Sequence, residues 1–276
     1  MNQNPTDWIG NMHRQSDRIT PGLVDRYEAV IGKADSKNAT PYGLHWCLGL
    51  PKAPMDALGM DGHPATGGFL PPSPLPRRMW ASSDVEFLAP LKEEGEVERV
   101  STVKSITDKE GRSGKLLFVD VEHLIFSGDL ECIRDRQTIV YREAATASAA
   151  LPELKEYDFS EWETIESFTP STALLFRYSA LTFNTHRIHY DLPYAKEKEC
   201  YPALVVHGPL MASMLLRFVT SLTQEKGLRG FKFRGLAPAF CNQPLTMVAK
   251  AKPDGFELGM VRCDGIMTMS AEAIIG

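Results

Sequence analysis

The sequence predicts an α+β protein made of two similar units in tandem, each with an antiparallel series of strands. In the second unit the strand-like segments follow one long apolar helix, a pattern typical of a sheet wrapped around a buried helix. Four segments of the first unit repeat the strand series without the helix. The chain of 276 residues also exceeds a typical domain of about 150 residues. We therefore predict two domains, 1–150 and 151–276, joined by the small-residue stretch AATASAALPE.

Two helices are predicted in the second half. The first follows from TPSTALLFRYSALTFN, in which Thr169 is a candidate N-cap, Pro170 takes the first helical position and the end falls near Asn184. The second begins at Gly208 and Pro209 in HGPLMASMLLRFVTSLTQEKG, where apolar residues cover nearly all sides of the helix. This second helix should be largely buried.

Strands account for much of the remaining sequence. The second half ends with GFKFRGLAPAF, PLTMVAKAK, FELGMVRC and IMTMSAEAI, which correspond in order to VEFLAPL, EVERVSTVKSI, KLLFVDVEHLIF and LECIRDRQTIVY in the first half. Leu117, Val119 and Val121 alternate as in a half-buried strand. The repeated series indicates an internal duplication.

The first half departs from this repeat where the second half has its long helix. The equivalent stretch, LGMDGHPATGGFLPPSPLPRRMW, contains so many glycines and prolines that no continuous helix is expected. The missing helix should leave an open space beside the sheet of the first half.

Composition narrows the classes of function. A formal net charge of -5 argues against a nucleic-acid partner, because such proteins carry a basic face. The five cysteines are widely spaced and form no C-x-x-C pair, so neither a disulfide framework nor a zinc ribbon fits, and a reducing cytoplasm is the expected location. No stretch of about 18 uninterrupted apolar residues occurs, so we predict no membrane partner.

Several segments resemble a known family. YSALTFNTHRIHYDLPYA is similar to the motif Y-x-x-x-S-G-D-x-N-P-I-H-x-D of the MaoC-like (R)-specific enoyl-CoA hydratases. GLHWCLGLPKAP, DGHPATGGFLPPSPLPRRMW, GRSGKLLFV, TIVYRE and YPALVVHGPL extend the resemblance over the whole chain, to the branch that contains itaconyl-CoA hydratase and mesaconyl-C4-CoA hydratase. The resemblance implies a double hotdog fold. Its N-terminal hotdog domain lacks a full central helix and binds the acyl group, and its C-terminal hotdog domain carries the hydratase motif.

What this branch implies is a hydro-lyase that reversibly hydrates a short branched dicarboxylic enoyl-CoA, either itaconyl-CoA or mesaconyl-C4-CoA, to citramalyl-CoA. The CoA thioester is the expected partner, and the chain is a monomer or a homodimer. Two alternatives remain open. One is a 3-hydroxyacyl-thioester dehydratase of fatty-acid metabolism, and the other is a non-catalytic acyl-CoA-binding protein.

The chain departs from the family motif at its centre. Phe183 and Asn184 replace the Gly-Asp pair, His186 replaces the asparagine and Arg187 replaces the proline. Only the final histidine, His189, and Asp191 are retained. The role of the usual catalytic aspartate is therefore open.

Three residues are the predicted catalytic groups. His189 suits proton transfer near neutral pH, although a histidine held by backbone hydrogen bonds is the alternative. Asn184 does not titrate in the useful range, so it orients water or substrate, caps the helix, or does both. Gly208 stands at a helix N-terminus, where free N–H groups and the helix dipole favour the negative charge of an enolate.

The substrate-binding residues are predicted from the free carboxylate of a dicarboxylic acyl group, which needs a charged partner in a partly dry pocket. Arg187 is the first candidate, because a guanidinium holds a carboxylate with two hydrogen bonds. Arg77 and Arg78 are the second candidates, and His186, as an orienting or structural partner, and His207 complete the predicted substrate-binding set.

A metal site is the weaker interpretation of the histidines. His186, His189, Asp191 and His207 could be combined into one, but the sequence has no H-E-x-x-H motif and no cysteine at ligand spacing. Phosphate-binding glycine loops are absent from the sequence as well. We therefore predict no metal and no cofactor.

Overall fold

A computed structural model describes residues 4–33, 40–111, 114–223 and 226–276. Its strands form one antiparallel sheet of ten strands in the order β1-β3-β4-β5-β2-β7-β10-β9-β8-β6. The strands are β1 (Met12–Arg18), β2 (Arg77–Phe87), β3 (Glu96–Gly111), β4 (Gly114–Ser127), β5 (Leu130–Arg142), β6 (Thr164–Phe168), β7 (Leu228–Gly235), β8 (Leu245–Lys252), β9 (Gly255–Arg262) and β10 (Met267–Ile275).

The strand order shows that the two halves of the sheet repeat one topology. β1 to β5 occupy one half and β6 to β10 the other, and the order of the second half is the order of the first in reverse. The two halves meet where β2 pairs with β7, with Ser82 opposite Arg234. The predicted correspondence of four strand pairs is therefore confirmed, and the pairs are β2 with β7, β3 with β8, β4 with β9 and β5 with β10. The boundary at residue 150 stays a prediction.

The α-helices are α1 (Pro21–Ile31), α2 (Thr172–Leu181), α3 (Leu192–Glu197) and α4 (Gly208–Leu222). Short 3-10 helices cover Pro5–Trp8, Leu44–Cys47, Met55–Ala57 and Arg187–His189. No helix of the described chain is long and apolar enough to cross a membrane.

The long helix α4 is the centre of the core. It starts at Gly208 as predicted, and ten of its residues are buried, among them Leu210, Leu215 and Leu216 at 0% exposure. Removing one such side chain from water contributes about 1.5–3 kcal/mol. The helix contacts β7, β8, β9 and β10 of its own half and β2 of the other half. The same helix therefore packs against both halves of the sheet.

The first half has no equivalent of α4 among the residues that the structure describes. Between Leu48 and β2 the chain forms only the 3-10 helix Met55–Ala57, turns and extended backbone. A cavity of about 950 Å³ lies beside this segment. Its lining includes Phe69 and Leu70 of the glycine- and proline-rich segment, residues on the strands of the first half, and Gly208 at the start of α4. The expected space is therefore present.

Candidate active site

The site begins at the C-terminal end of α2. Contrary to the prediction, the N-cap of α2 is Ser171, whose hydroxyl accepts a hydrogen bond from the Leu174 N–H at 3.2 Å. Thr169 is not the cap, because it lies two residues too early in extended chain that follows β6. The helix ends at Leu181, and Phe183 takes the left-handed conformation with φ 48°.

Asn184 follows this turn and faces the cavity. Its N–H donates to the Ser179 carbonyl at 2.9 Å, which closes a Schellman-type helix end. The left-handed residue is therefore Phe183, and Asn184 is not the cap residue itself. The side-chain oxygen of Asn184 accepts a hydrogen bond from the His186 N–H at 2.9 Å. This contact fixes the amide, and its NH₂ group is left for water or substrate.

His189 lies at the end of the 3-10 helix Arg187–His189 and is 7% exposed. Its Nδ1 lies 2.8 Å from the Val205 carbonyl, which can only accept, so Nδ1 carries the proton and Nε2 carries a lone pair. Burial lowers the pKa of His189 to about 3. The residue lines the cavity as a neutral imidazole, which is the form a general base requires.

The ring of His207 packs against the ring of His189. The two rings stack with centroids 3.6 Å apart, and the His207 Nε2 lies 2.8 Å from the Ser179 hydroxyl. His207 is 1% exposed and is not among the residues that line the cavity, so its predicted contact with substrate is not supported by this geometry. Its position instead fixes the ring plane of His189.

Gly208 is the first residue of α4 and lines the cavity. Its N–H has no acceptor among the described residues, as expected for the first N–H groups of a helix. A methyl group added at this position would have only the Trp80 carbonyl within 4 Å, at 3.8 Å. The backbone here is open to a ligand, so a thioester oxygen could accept the Gly208 N–H beside the positive end of the helix dipole.

Two residues that sequence reasoning missed, Asp61 and His63, lie beside His186 and His189 in the site. The His63 ring lies tilted against the His186 ring with centroids 4.2 Å apart, and the His63 Nδ1 lies 2.8 Å from the Asp61 Oδ2. His186 in turn meets the edge of His189 at 5.4 Å. Burial lowers the pKa of His186 far below its ordinary value. Because Asp61 and His63 come from the glycine-rich segment of the first half, only the D-G-H triplet within that segment could have indicated them.

The arginines differ in how free they are to bind a carboxylate. Arg77 lines the cavity but is paired with Glu199 at 2.5 Å and with the Tyr201 hydroxyl at 2.7 Å. Arg78 also lines the cavity and has no carboxylate within 4 Å among the described residues. Its hydrogen bond to the Pro64 carbonyl is long, at 3.5 Å. Arg78 is therefore the better placed of the two.

Arg187 is not among the residues that line the cavity. Its guanidinium donates to Asp191 at 2.8 Å and to the Met60 carbonyl at 3.1 Å, and it lies over the Tyr194 ring at 4.2 Å. These contacts hold the loop around Met60 against the histidine motif. The predicted carboxylate contact of Arg187 stays a prediction, and the geometry favours Arg78.

The four residues considered for a metal site do not form one cluster of ligand atoms in the described chain. Asp191 accepts hydrogen bonds from Arg187 and from the Tyr194 N–H instead. A different group, Asp61, His63 and His186, has ligand atoms within 4.8 Å of one another. In that group the Asp61 carboxylate already accepts a hydrogen bond from His63, which satisfies it without an ion.

The wall of the cavity that β3 and β4 form is also polar. Arg99 and His123 line it on β3 and β4, with the guanidinium 3.2 Å from the His123 Nδ1. His123 also lies 2.7 Å from the Ser101 hydroxyl. No sequence motif indicated these residues, because they face the space only as a result of strand pairing between β3 and β4.

Comparison with known proteins gives the family. The family model for hydroxyacyl-thioester dehydratase type 2 matches residues 43–241. The chain belongs to this family. It is 40% identical over 275 residues to the mesaconyl-C4-CoA hydratase of Chloroflexus aurantiacus, covering 98% of this chain and 97% of that protein. The predicted resemblance to that branch of the MaoC-like hydratases is therefore confirmed.

Solved structures agree on the fold of this type 2 dehydratase family member. The crystal structure of HtdX from Mycobacterium tuberculosis aligns with a TM-score of 0.70 at 17% identity, covering 95% of this chain and 98% of that chain. A second protein of that organism, described as having a double hotdog fold, aligns with a TM-score of 0.58 at 12% identity, covering 97% and 96%. The predicted double hotdog fold is confirmed, and as predicted the chain is a hydro-lyase that acts on an acyl thioester.

Proposed function

We propose that this hydro-lyase adds water to a short branched dicarboxylic enoyl-CoA, mesaconyl-C4-CoA or itaconyl-CoA, and gives citramalyl-CoA. The observation that carries the proposal is a neutral imidazole, His189, that faces the same cavity as the free N–H of Gly208. The 40% identity to a mesaconyl-C4-CoA hydratase supports the choice of substrate.

In the proposed mechanism, water sits between Asn184 and His189. The Asn184 NH₂ group orients the water, and the His189 Nε2 takes its proton as the oxygen bonds to the β-carbon. Electron density then moves to the thioester oxygen, where the Gly208 N–H and the dipole of α4 stabilise the enolate. A proton delivered to the α-carbon completes the hydration.

Arg78 is the proposed partner of the free carboxylate. It lines the cavity with no carboxylate within 4 Å among the described residues, and Asp61 acts on it only at longer range, so a dicarboxylic acyl group would supply a direct partner. The domain of residues 1–150 thus holds the acyl group, and the domain of residues 151–276 holds the proton-transfer motif.

Itaconyl-CoA requires one step more than mesaconyl-C4-CoA. Its double bond is not conjugated with the thioester and must first migrate through a dienolate. The Gly208 N–H that stabilises the enolate of hydration would also stabilise this dienolate, so one site suffices for both thioesters.

A second candidate is dehydration of longer 3-hydroxyacyl thioesters. The observation in its favour is the size of the cavity, since about 950 Å³ exceeds what a five-carbon acyl group occupies and approaches the upper end for ligand pockets. The polar wall with Arg99 and His123 argues for a polar rather than a purely apolar occupant.

The test is an assay of the purified protein with mesaconyl-C4-CoA, itaconyl-CoA, crotonyl-CoA and a ten-carbon 2-enoyl-CoA, with product identified by mass spectrometry. We expect Arg78→Gln to raise KM for mesaconyl-C4-CoA about tenfold or more and to change KM for crotonyl-CoA much less, because crotonyl-CoA has no free carboxylate. The matched variant is Arg187→Gln. If it, and not Arg78→Gln, separates the two thioesters, the carboxylate is bound by Arg187. Preference for the ten-carbon thioester would favour the second candidate.

A further inference from the structure

The segment 59–63 of the first half is fixed against the histidine motif of the second half. The Arg187 N–H donates to the Asp61 carbonyl at 2.9 Å, and the Thr185 hydroxyl donates to the Gly62 carbonyl. Gly62 has φ +89°, and a Cβ there would lie 1.9 Å from the Thr185 carbonyl oxygen. The segment is therefore held by backbone contacts that only glycine permits at its centre.

This contact places an Asp–His pair in the site. The Asp61 Oδ2 lies 2.8 Å from the His63 Nδ1, and its Oδ1 accepts a hydrogen bond from the His63 N–H at 3.1 Å. A carboxylate that accepts from Nδ1 sets the tautomer, so the Nε2 of His63 is the atom free to exchange a proton with a ligand. His63 lines the cavity and its side chain is 21% exposed.

Hydration requires two proton-transfer groups, and the histidine motif supplies only His189. One group must take a proton from water and another must give a proton to the α-carbon, but Asn184 does neither. The His189 Nδ1 donates to the neutral carbonyl of Val205, whereas the His63 Nδ1 donates to the carboxylate of Asp61. A carboxylate stabilises the imidazolium form, which is the form that donates.

We propose that His63, backed by Asp61, is the second proton-transfer residue, in place of the carboxylate that Asn184 lacks. This inference rests on the proposed hydration. As the water oxygen bonds to the β-carbon, its proton passes to the His189 Nε2 and the double-bond electrons move to the thioester oxygen. The enolate then takes the Nε2 proton of the His63 imidazolium at its α-carbon, which forms the C–H bond and restores the carbonyl. His189 afterwards releases a proton to solvent and His63 gains one, so protons balance over the cycle.

The groups that face His63 bear on its charge. Burial and then Arg78 lower the pKa of His63, and a charge on His186 or His189 would oppose the imidazolium further. The Asp61 carboxylate offsets part of this lowering. Asp61 acts through His63 and is a positioning residue, whereas His63 is the group that meets substrate.

The experiment compares the Asp61→Asn and His63→Gln variants with the wild type, with an unsaturated thioester that the wild-type enzyme hydrates as the substrate. We expect kcat to fall about 10²–10⁴-fold in both variants, with KM changed less than about threefold. Asp61→Asn should also move the alkaline limb of the pH–rate profile to lower pH, because the imidazolium loses its counter-charge, and Asp61→Glu should restore part of the rate. Asp56→Asn, at an exposed aspartate just before the segment, is the control and should leave kcat unchanged.

A second measurement separates this inference from the proposed function. Exchange of the α-hydrogens of saturated methylsuccinyl-C4-CoA with D₂O needs only binding and α-carbon proton transfer, and calorimetric titration with the same thioester shows separately whether a variant is folded and binds. We expect exchange in the wild type and its loss in His63→Gln. Equal exchange in both, no exchange in the wild type, or a kcat within threefold of wild type in His63→Gln would each overturn the role of His63. Inactivation by EDTA reversed by Zn²⁺ would assign Asp61 and His63 to a metal instead.

Discussion

At the residue scale, the role proposed for Gly208 depends on its lack of a side chain. Gly208→Ala should fold, because the new methyl group meets only the Trp80 carbonyl at 3.8 Å and alanine suits a helix better than glycine. The methyl group would nevertheless occupy the approach to the Gly208 N–H. We expect kcat/KM to fall about 10²-fold, the effect of misplacing a reacting group by about 1 Å. Thermal unfolding and steady-state kinetics check the two halves of this prediction, and an active alanine variant would remove Gly208 from the oxyanion site.

Asn184 allows a second test on one side chain. Asn184→Asp keeps the oxygen that accepts from the His186 N–H and restores the carboxylate of the wider family, so we expect it to retain a measurable part of the wild-type kcat. Asn184→Ala should lose both the contact and the orientation of water, with a fall in kcat of about 10²-fold or more. Steady-state kinetics of the pair decides the matter, since an alanine variant with wild-type kcat would make Asn184 structural only.

At the scale of elements, the short segment 59–63 matters more than its lack of regular structure suggests. Gly62→Ala must displace the backbone of Thr185, because the added Cβ would lie 1.9 Å from the carbonyl oxygen. We expect a strong loss of kcat as Asp61 and His63 move away from His189, with binding and kinetics measured on the same preparation.

Gly67 provides the matched control for that change. It has φ +92°, close to the +89° of Gly62, but no atom within 4 Å of an added Cβ. Gly67→Ala therefore carries the same backbone strain, about 1–2 kcal/mol, without a collision. Wild-type kcat in Gly67→Ala together with loss in Gly62→Ala would attribute the effect to the contact with Thr185. Equal losses would attribute it to strain in the loop.

How far the sequence predicted these elements depends on whether their determinants are local. α4 has its proline, glycine and apolar pattern in consecutive residues, and its start was predicted correctly. β1, with the polar sequence MHRQSDR, was missed because its strand conformation comes from pairing with β3 at the edge of the sheet. The Asp61–His63 pair was missed for a related reason, since Gly62 meets Thr185 across 123 positions of chain. The left-handed turn at Phe183 also broke the usual rule that glycine or asparagine takes that conformation.

At the scale of the whole molecule, burial of histidines should make the protein sensitive to acid. The folded-state pKa values of His45 and His189 are about 3, while an unfolded histidine has a pKa of about 6.5. The folded state therefore binds fewer protons, so stability is complete above pH 6.5 and is lost as pH falls towards 3. Each of these histidines should cost about 1.4 kcal/mol of unfolding free energy at pH 5.5.

Urea unfolding at pH 7.5 and pH 5.5 measures this loss. His189→Gln should reduce the difference between the two pH values by about 1.4 kcal/mol. An unfolding free energy that is the same at both pH values would contradict the assignment of neutral buried imidazoles.

The pairing of β2 with β7 joins two copies of one topology, yet in the part of the chain that the structure describes only the second copy carries a central helix. A symmetric pair of hotdog domains would present two helix N-termini and two catalytic pockets. Under the proposed function, the space beside the first half would instead hold the acyl group and present the Asp61–His63 pair to the single site at the start of α4. The binding stoichiometry should then be one thioester for each chain, and calorimetric titration with a non-reactive CoA thioester should saturate at that ratio whatever the number of chains in the assembly.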